Sequence, residues 1–237
     1  MSISPEALEG AGIALESQLA EYLAALYLNV GAEDRPAILD AARRRLPLFE
    51  RSLFAVALAP LDPVQAFLFQ RDCDPDDTAT ILRALAPHLG QLRPEHIAGM
   101  LDMVRRLASP VSRVRTLAAL AVGLRPLARS AAERRALGPT IADAWRDAVE
   151  SLAHAPAARR RELIELLAEA PSVHFTTLLA SARALGPGEG RAEALCALAQ
   201  HVPDGAGVIG LDLMQEAYQS YVAFAENLAA VDATGLI

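Results

Sequence analysis

A short Ala/Leu-rich helix that recurs four times constrains the fold of this chain more than any other feature. In each copy a leucine followed by an alanine holds the same place, and the successive leucines are 35, 47 and 31 residues apart. The copies are ILRALAPHLG (81–90), VRTLAALAVGLR (114–125), RELIELLAEAP (161–171) and AEALCALAQHVP (192–203), with Leu85, Leu120, Leu167 and Leu198 at the shared position. One such helix cannot bury its apolar face alone, whereas stacked helix pairs share a continuous core.

Companion helices lie between these copies, at 96–110, 140–156 and 174–188, and each carries apolar residues at helical spacing. A Pro- or Gly-containing turn ends each of them. The abundance of Ala and Leu also favours helix over strand. We therefore expect an all-α fold, a right-handed α-solenoid of stacked antiparallel helix pairs (HEAT-like), with no sheet.

Four regions are expected along the chain. They are an N-terminal helical region (1–75), a helical-repeat solenoid (76–203), a Gly-rich linker (204–210) and a C-terminal helix with its tail (211–237). The first helix should carry its apolar face on Leu15, Leu19, Tyr22, Leu23 and Leu26.

Two of the repeat segments, RAEALCALAQHVPD (191–204) and RVRTLAALAVGLRP (113–126), resemble degenerate HEAT- or TPR-like repeats of bacterial signalling proteins. Such repeats commonly accompany NACHT- or other STAND-type NTPase modules and serve as sensor or interaction regions. The resemblance covers roughly residues 78–203 and includes no NTPase module. It implies a stand-alone relative of those proteins, or a separately encoded partner of one, in bacterial signalling or defence.

The balance of charge and residue types excludes several kinds of chemistry. All 22 basic residues are arginine, which excludes a Schiff-base lysine, the lysine of a phosphate-binding loop and the kinase lysine. The net charge of −7 argues against broad phosphate binding, so we do not expect a nucleic-acid partner. The longest uncharged run, Ala170–Ala182, is too short to span a bilayer, and the two cysteines form no disulfide framework. We expect a cytoplasmic protein with no membrane partner.

The acidic stretch DCDPDDTATI (72–81) is the strongest candidate for a catalytic or metal site. Its D-x-D-x-T pattern resembles an aspartyl phosphotransferase motif, but polar residues precede it where that motif needs a buried strand. A calcium loop that starts at Asp72 needs Gly and Glu where Asp77 and Arg83 stand. We therefore interpret the stretch as a helix start capped by Asp76, Asp77 or Thr78, with an acidic contact for a basic partner as the alternative.

No metal, cofactor or catalytic residue is predicted elsewhere. Cys73 lies among aspartates, which should raise the pKa of its thiol, and no histidine pair has the i, i+4 spacing of a helical metal site. Trp145, the only tryptophan, lies on an apolar helical stripe and is expected in the core.

Candidate partner-binding residues come from arginine clusters and from the last helix. Arg105, Arg106 and Arg146 could recognise carboxylates, although local pairing at i, i+4, such as Arg146 with Glu150 or Arg161 with Glu165, is the alternative. The last helix, from about Leu211 to Asn227, carries an apolar stripe of Leu211, Met214, Tyr218, Tyr221, Val222 and Ala225. Tyr218 and Tyr221, together with Phe224, either cap the solenoid or dock on a partner.

These observations lead to two hypotheses of function. The first is a non-catalytic interaction scaffold, sensor or adaptor that binds another protein, with a homo-oligomer left open. The alternative is a HEAT-like nucleic-acid-binding protein or DNA glycosylase-type enzyme, in which Trp145 would act with Asp143 and Asp147. The acidic charge and the scarcity of aromatic residues disfavour that alternative.

Overall fold

A computed structural model describes residues 12–186, 188–202 and 207–233. Twelve α-helices, joined by short turns and 3₁₀ segments, account for most of these residues, and no strand occurs among them. The all-α prediction is confirmed. In chain order the helices are α1 (Gly12–Asn29), α2 (Arg35–Arg45), α3 (Leu48–Leu58), α4 (Pro63–Phe69), α5 (Thr78–Leu85), α6 (Pro94–Arg105), α7 (Pro110–Leu124), α8 (Ala131–Leu152), α9 (Ala157–Leu167), α10 (Phe175–Arg183), α11 (Glu189–Ala199) and α12 (Gly207–Ala233).

The chain forms two compact units. Unit 1 comprises residues 1–104 and 122–129, and unit 2 comprises residues 105–121 and 130–237. The expected region boundaries stay predictions, except that the last helix begins inside the expected linker, at Gly207. Within the described helices, none is both long enough and apolar enough to cross a membrane.

Unit 1 is built around α3. This helix packs against α1, α2, α4 and α5, and α4 also packs against α5. The rings of Phe54 and Phe69 meet edge to face at the centre, with 5.0 Å between their centroids. Both rings are fully buried, so this contact joins α3 to α4 in one core.

Of the five residues expected on the apolar face of helix α1, Leu23 is buried, Leu26 is half-buried, and the side chain of Leu15 lies outside those described. Ala20, Leu23, Ala24 and Tyr27 are buried, whereas Leu19 and Tyr22 are exposed. The hydroxyl of Tyr27 donates to Asp62 Oδ2 at 2.8 Å, and burial together with that carboxylate raises the pKa of Tyr27 to about 12. Alanines on the buried face let α1 approach its neighbours closely. A prediction that relies on the large apolar side chains of this helix leaves those alanines out.

Unit 2 has its core around Trp145, which is fully buried in α8. Helix α9 packs against α8, α10 and α11, and α11 packs extensively against α12. The expected core position of Trp145 is confirmed.

The leucines of the recurring helix are all core residues. Leu85 in unit 1 is fully buried, and so are Leu120, Leu167 and Leu198 in unit 2. Their shared position therefore corresponds to a shared burial, as the sequence pattern predicts.

Helix α8 begins earlier than the expected segment at 140–156. Ser130 and Glu133 form a capping box, in which Glu133 N donates to Ser130 Oγ at 3.1 Å and Ser130 N donates to Glu133 Oε2 at 2.7 Å. Pro139 lies inside the helix on an exposed position, where water can satisfy the carbonyl group that loses its partner.

Candidate functional site

The acidic stretch starts a helix, but by a different cap from the one expected. Asp74 is the capping residue: its Oδ1 accepts from Asp76 N at 3.0 Å and begins the 3₁₀ turn Pro75–Asp77. Helix α5 then starts at Thr78, as predicted, without a side-chain cap from Asp77. Pro75 places the first turn before the regular helix, so the capping position moves to the residue before proline.

Two further residues of this stretch have structural partners. Asp72 Oδ2 accepts from Arg43 Nε at 2.8 Å, and Thr78 Oγ1 accepts from Gln70 Nε2 at 2.9 Å. Burial is the main cause that raises the pKa of the Cys73 thiol to about 12, with Asp72 a smaller one, so this thiol is a poor nucleophile. Among the described residues no group of three or more His, Cys, Asp or Glu is placed to hold a metal ion.

Two of the three candidate arginines meet at one carboxylate in unit 2. Asp147 Oδ2 accepts from Arg105 Nε at 2.7 Å, and Asp147 Oδ1 lies 3.9 Å from Arg146 Nε. Arg146 Nη2 also pairs with Asp143 Oδ1 at 2.7 Å. The acidic partner of Arg146 is therefore three residues earlier in the chain, instead of the expected Glu150 four residues later. Arg106 is exposed and forms no ion pair with a described residue.

The other expected i, i+4 pair is present. Arg161 Nε lies 3.8 Å from Glu165 Oε1, and Arg161 also bonds to Glu193 of α11. Arg105, Arg146 and Arg161 are therefore each paired with an acid of unit 2.

A polar cavity of about 230 Å³ lies beside this cluster, lined by Arg105, Arg113, Asp147, Glu150, Ser151 and His154. Arg105 is paired with Asp147, whereas Arg113 Nη2 donates to the carbonyl oxygen of Leu107 at 2.8 Å and the buried Arg113 Nε has no hydrogen-bond partner among the described residues. Ser151 Oγ donates to the carbonyl oxygen of Asp147 at 2.7 Å, so the neighbouring His154 does not activate it. The lining of the cavity therefore combines two arginines with two acids, and its serine is not activated as a nucleophile.

Trp145 cannot serve as a base-stacking residue, because its ring is fully buried in the core. Asp143 and Asp147, its proposed acidic companions, are held by Arg146 and Arg105. The arrangement that the glycosylase-type alternative requires is therefore not formed around Trp145.

The last helix, α12, has one face docked within unit 2. Leu213, Ala217 and Ser220 are buried on the side where α12 packs against α11. The helix begins at Gly207, four residues before the expected start at Leu211. Gly207–Gly210, the second part of the expected linker, is therefore helical. Residues 203–206 lie outside the described ranges.

A charged clamp holds this docked face. Glu216 Oε2 accepts from Arg183 Nη2 at 2.8 Å, and Glu216 Oε1 accepts from Arg191 Nη2 at 2.6 Å. The hydrogen bond from Arg183 is the main cause that lowers the pKa of Glu216, and the bond from Arg191 is a smaller one. The Glu216 carboxylate therefore stays charged at neutral pH. The clamp joins α12 to α10 and α11.

A second face of α12, about 100° around the helix axis from the docked face, is an exposed row of apolar side chains, which we call the outer stripe. Leu211 is 74% exposed and Tyr218 is 68% exposed, and the other members are exposed as well. The outer stripe consists of Leu211, Met214, Tyr218, Tyr221, Ala225 and Leu228. Contiguous exposed apolar surfaces are typical of sites at which a protein binds a partner.

The expected residues of the last helix therefore divide between two environments. Tyr218 and Tyr221 belong to the outer stripe, while Val222 and Phe224 are half-buried. A Cβ placed on Gly188 would lie 3.5 Å from Phe224 Cδ2, so this ring contacts the turn before α11. Tyr218 and Tyr221 are thus available to a partner, whereas Phe224 supports the docked face.

The outer stripe shares five of its six members with the apolar stripe that the sequence predicts for this helix. Its members are separated by three, four, three, four and three residues, which is the a/d spacing of a heptad repeat. Leu228 completes this series, although it was absent from the expected stripe. A strict 3–4 spacing follows one seam on a helix and is typical of a helix that packs against another helix.

Acidic and amide side chains form a separate exposed row, which lies about 100° around the helix axis from the outer stripe. Asp212, Gln219 and Glu226, which we call the acidic edge, repeat at intervals of seven residues and are all exposed. Residues 202–237 include no Arg, Lys or His, so α12 itself contributes only negative charge. The exposed surface of α12 therefore carries an apolar row and, separately, two acids.

Comparisons with protein families, with curated proteins and with solved structures find no match to this chain.

Proposed function

We propose that this chain is a non-catalytic interaction scaffold or adaptor, and that it binds another protein through the outer stripe of α12. The observation that carries this proposal is a helix fixed to its own unit by one face while six residues at heptad spacing remain exposed on a second face. Holding the helix in place in advance lowers the entropic cost of docking a partner. The proposed setting in a bacterial signalling or defence assembly is what the resemblance of the repeats implies, and the proposed cytoplasmic location comes from the unpaired cysteines.

The proposed architecture that presents α12 is the right-handed HEAT-like solenoid. Packing within each unit supports it, because α1 packs on α3 and α3 on α5 in unit 1, and α9 packs on α11 in unit 2. Contacts between every second helix are typical of stacked helix pairs, in which equivalent helices form one layer.

The test of the proposed function is capture of a specific partner from an extract of the native host. The double variant Tyr218→Ser/Tyr221→Ser removes the two aromatic members of the outer stripe, which are exposed in the free protein. We expect wild-type protein to retain one specific partner and the variant to lose it, with an unchanged thermal midpoint because neither ring is in the core.

The matched control is Val173→Ser, which alters an exposed apolar residue of unit 2 outside α12. This control should retain the partner as wild type does. Retention by the outer-stripe variant would place the interface elsewhere. Turnover of a small substrate that one point change abolishes in a folded variant would refute the non-catalytic assignment.

A further inference from the structure

We infer that the polar cavity beside Arg105 and Asp147 binds a small zwitterion, a molecule of the α-amino acid class with one carboxylate and one ammonium group. This inference goes beyond the proposed function, because it assigns a small ligand to residues of unit 2 outside α12. It depends on which charged groups of the cavity lining are already paired and which are not.

Three of the residues that line the cavity bind one another. Asp147 Oδ2 accepts from Arg105 Nε at 2.7 Å, and Ser151 Oγ donates to the carbonyl oxygen of Asp147 at 2.7 Å. The charges of Arg105 and Asp147 therefore neutralise each other within the protein. The other lining residues, Arg113, Glu150 and His154, remain to interact with a ligand.

The cation that remains is Arg113, which is half-buried near the start of α7. Its Nη2 donates to the carbonyl oxygen of Leu107 at 2.8 Å, its Nε is buried without a hydrogen-bond partner, and no described acid pairs with it. A half-buried guanidinium without a carboxylate is incompletely satisfied, and its planar group suits the two oxygens of a carboxylate. A ligand carboxylate would supply the negative charge that the protein does not place beside Arg113.

The anion that remains is Glu150, an exposed residue in the last turn of α8. Its carboxylate has no partner among the described residues, because Arg146, its expected partner, pairs with Asp143. Glu150 and Arg113 line the same cavity and form no ion pair with each other. A ligand ammonium group would pair with Glu150, and the neutral imidazole of His154 offers a further acceptor on the same lining.

The balance of charge favours a ligand that carries both signs. An anion alone would pair with Arg113 and leave Glu150 without a partner, whereas a cation alone would pair with Glu150 and leave Arg113 without one. A zwitterion pairs with both groups and adds no net charge to a lining of two arginines and two acids.

The volume of the cavity limits the size of this ligand. The cavity measures about 230 Å³, which is less than the roughly 300–1,000 Å³ of pockets that hold drug-sized molecules. A single amino acid is small enough for such a space, whereas a nucleotide or a longer peptide is not. The inferred ligand is therefore a free amino acid.

The experiment titrates the full chain with each of the standard amino acids, and binding is measured by calorimetry and by the rise in thermal midpoint that a ligand of the native state produces. The best binder is then compared with its N-acetyl derivative, which lacks the ammonium group, and with its amide, which lacks the carboxylate. We expect both derivatives to bind at least about tenfold more weakly, because each leaves one charged group of the cavity unpaired.

Two variants assign the charges of the ligand to their partners. Glu150→Gln should weaken the amino acid to about the affinity of its N-acetyl derivative, and the two losses should not add, because they remove the same ion pair. Arg113→Gln should do the same with respect to the amide. Because Arg113 is half-buried, the amide itself tests this ion pair with the protein unchanged. Glu226→Gln, an exposed acid of α12, is the control and should bind as wild type does.

Failure of every amino acid to bind at millimolar concentration would overturn the inference. An N-acetyl derivative that binds as tightly as its parent would assign the cavity to an anion, and an amide that does so would assign it to a cation. Either result would overturn the zwitterion. Unchanged affinity in both Glu150→Gln and Arg113→Gln would place the amino acid elsewhere and would also overturn it.

Discussion

Individual residues of unit 2 show why similar side chains in adjacent positions contribute unequally to stability. Leu167 is fully buried at the end of α9, whereas its neighbour Leu166 is largely exposed. The recurring leucines owe their importance to this position and not to their residue type. Thr116 shows the converse, because it is a polar side chain in a fully buried position.

Replacement of the recurring leucines should destabilise unit 2 strongly. Leu120→Ala and Leu198→Ala each remove a fully buried side chain, and we expect each to lower the free energy of unfolding by about 2–5 kcal/mol. Leu166→Ala is the matched control and should cost much less. The checks are thermal and urea unfolding followed by the fluorescence of Trp145, which lies in the same unit; unchanged midpoints in both core variants would disprove the shared core position.

Removal of the buried hydroxyl of Thr116 should have the opposite effect. Its Oγ1 is buried and has no hydrogen-bond partner among the described residues, so it loses its hydration without compensation. We expect Thr116→Val to raise the free energy of unfolding by about 1 kcal/mol. Thr176→Val, at an exposed position of α10, should leave it nearly unchanged. A destabilised Thr116→Val protein would show that the hydroxyl has a partner in solution.

At the scale of elements, the turn before α11 and the clamp on α12 decide how the last two helices meet. Gly188 has a φ of +150°, a conformation that side chains with a Cβ rarely adopt, and it precedes α11 directly. Phe224 of α12 packs over this turn. The backbone of the turn and the docked face of α12 therefore depend on each other.

A side chain at Gly188 should destabilise this end of unit 2. We expect Gly188→Ala to lower the free energy of unfolding by about 1–3 kcal/mol because of its φ. Gly186→Ala is the control, since a Cβ there meets nothing within 4 Å and its φ is not positive. Chemical denaturation of both variants checks the difference, and equal stability would mean that the turn relaxes freely.

The clamp at Glu216 should make the docking of α12 depend on pH. The arginine bonds lower the pKa of Glu216 below its ordinary value of 4.5, so its contribution is complete above that value and is lost as the pH falls through the lowered pKa. We expect Glu216→Gln to cost about 1 kcal/mol at neutral pH, an amount limited because the Arg183 side chain is half exposed to screening solvent.

The difference in stability between wild type and Glu216→Gln should shrink as the pH falls below 4.5. Thermal midpoints at about pH 7 and about pH 3 measure it, with Glu226→Gln as an exposed acid on the same helix for control. Susceptibility to trypsin gives a second readout, because Arg191 is the last arginine of the chain and its guanidinium is part of the clamp. A difference that persists unchanged in acid would show that Glu216 acts through packing alone.

For the whole molecule, the sequence predicted the helical class and much of the core, but not which way the helices face. Periodicity found the buried leucines and Trp145, because burial of large apolar residues is what produces that periodicity. It assigned Tyr22 and Tyr218 to apolar faces without showing that both faces are exposed. Ala20, Ala24 and Ala217 are buried instead. Their burial depends on where the neighbouring helices lie, which the spacing of apolar residues in one helix does not show.

Net charge at the scale of the molecule should govern self-association. The chain carries −7 at neutral pH, so copies repel one another at low salt even though each exposes the outer stripe. We expect sedimentation velocity to show a monomer at about 0.02 M salt and weak, concentration-dependent association at about 1 M, where the Debye length is about 3 Å. Tyr218→Ser/Tyr221→Ser should abolish the association; association at low salt only would contradict the expectation.

The outer stripe also has a consequence for the amount of this protein in a cell. Chaperones and proteases select chains by the apolar surface that they expose, and about 26 Å of apolar helix remains uncovered on each copy without a partner. If the proposed partner covers the outer stripe, unbound copies would be removed faster than bound ones. The steady-state level of the protein would follow the supply of its partner, so turnover would keep the two in fixed proportion without matched synthesis.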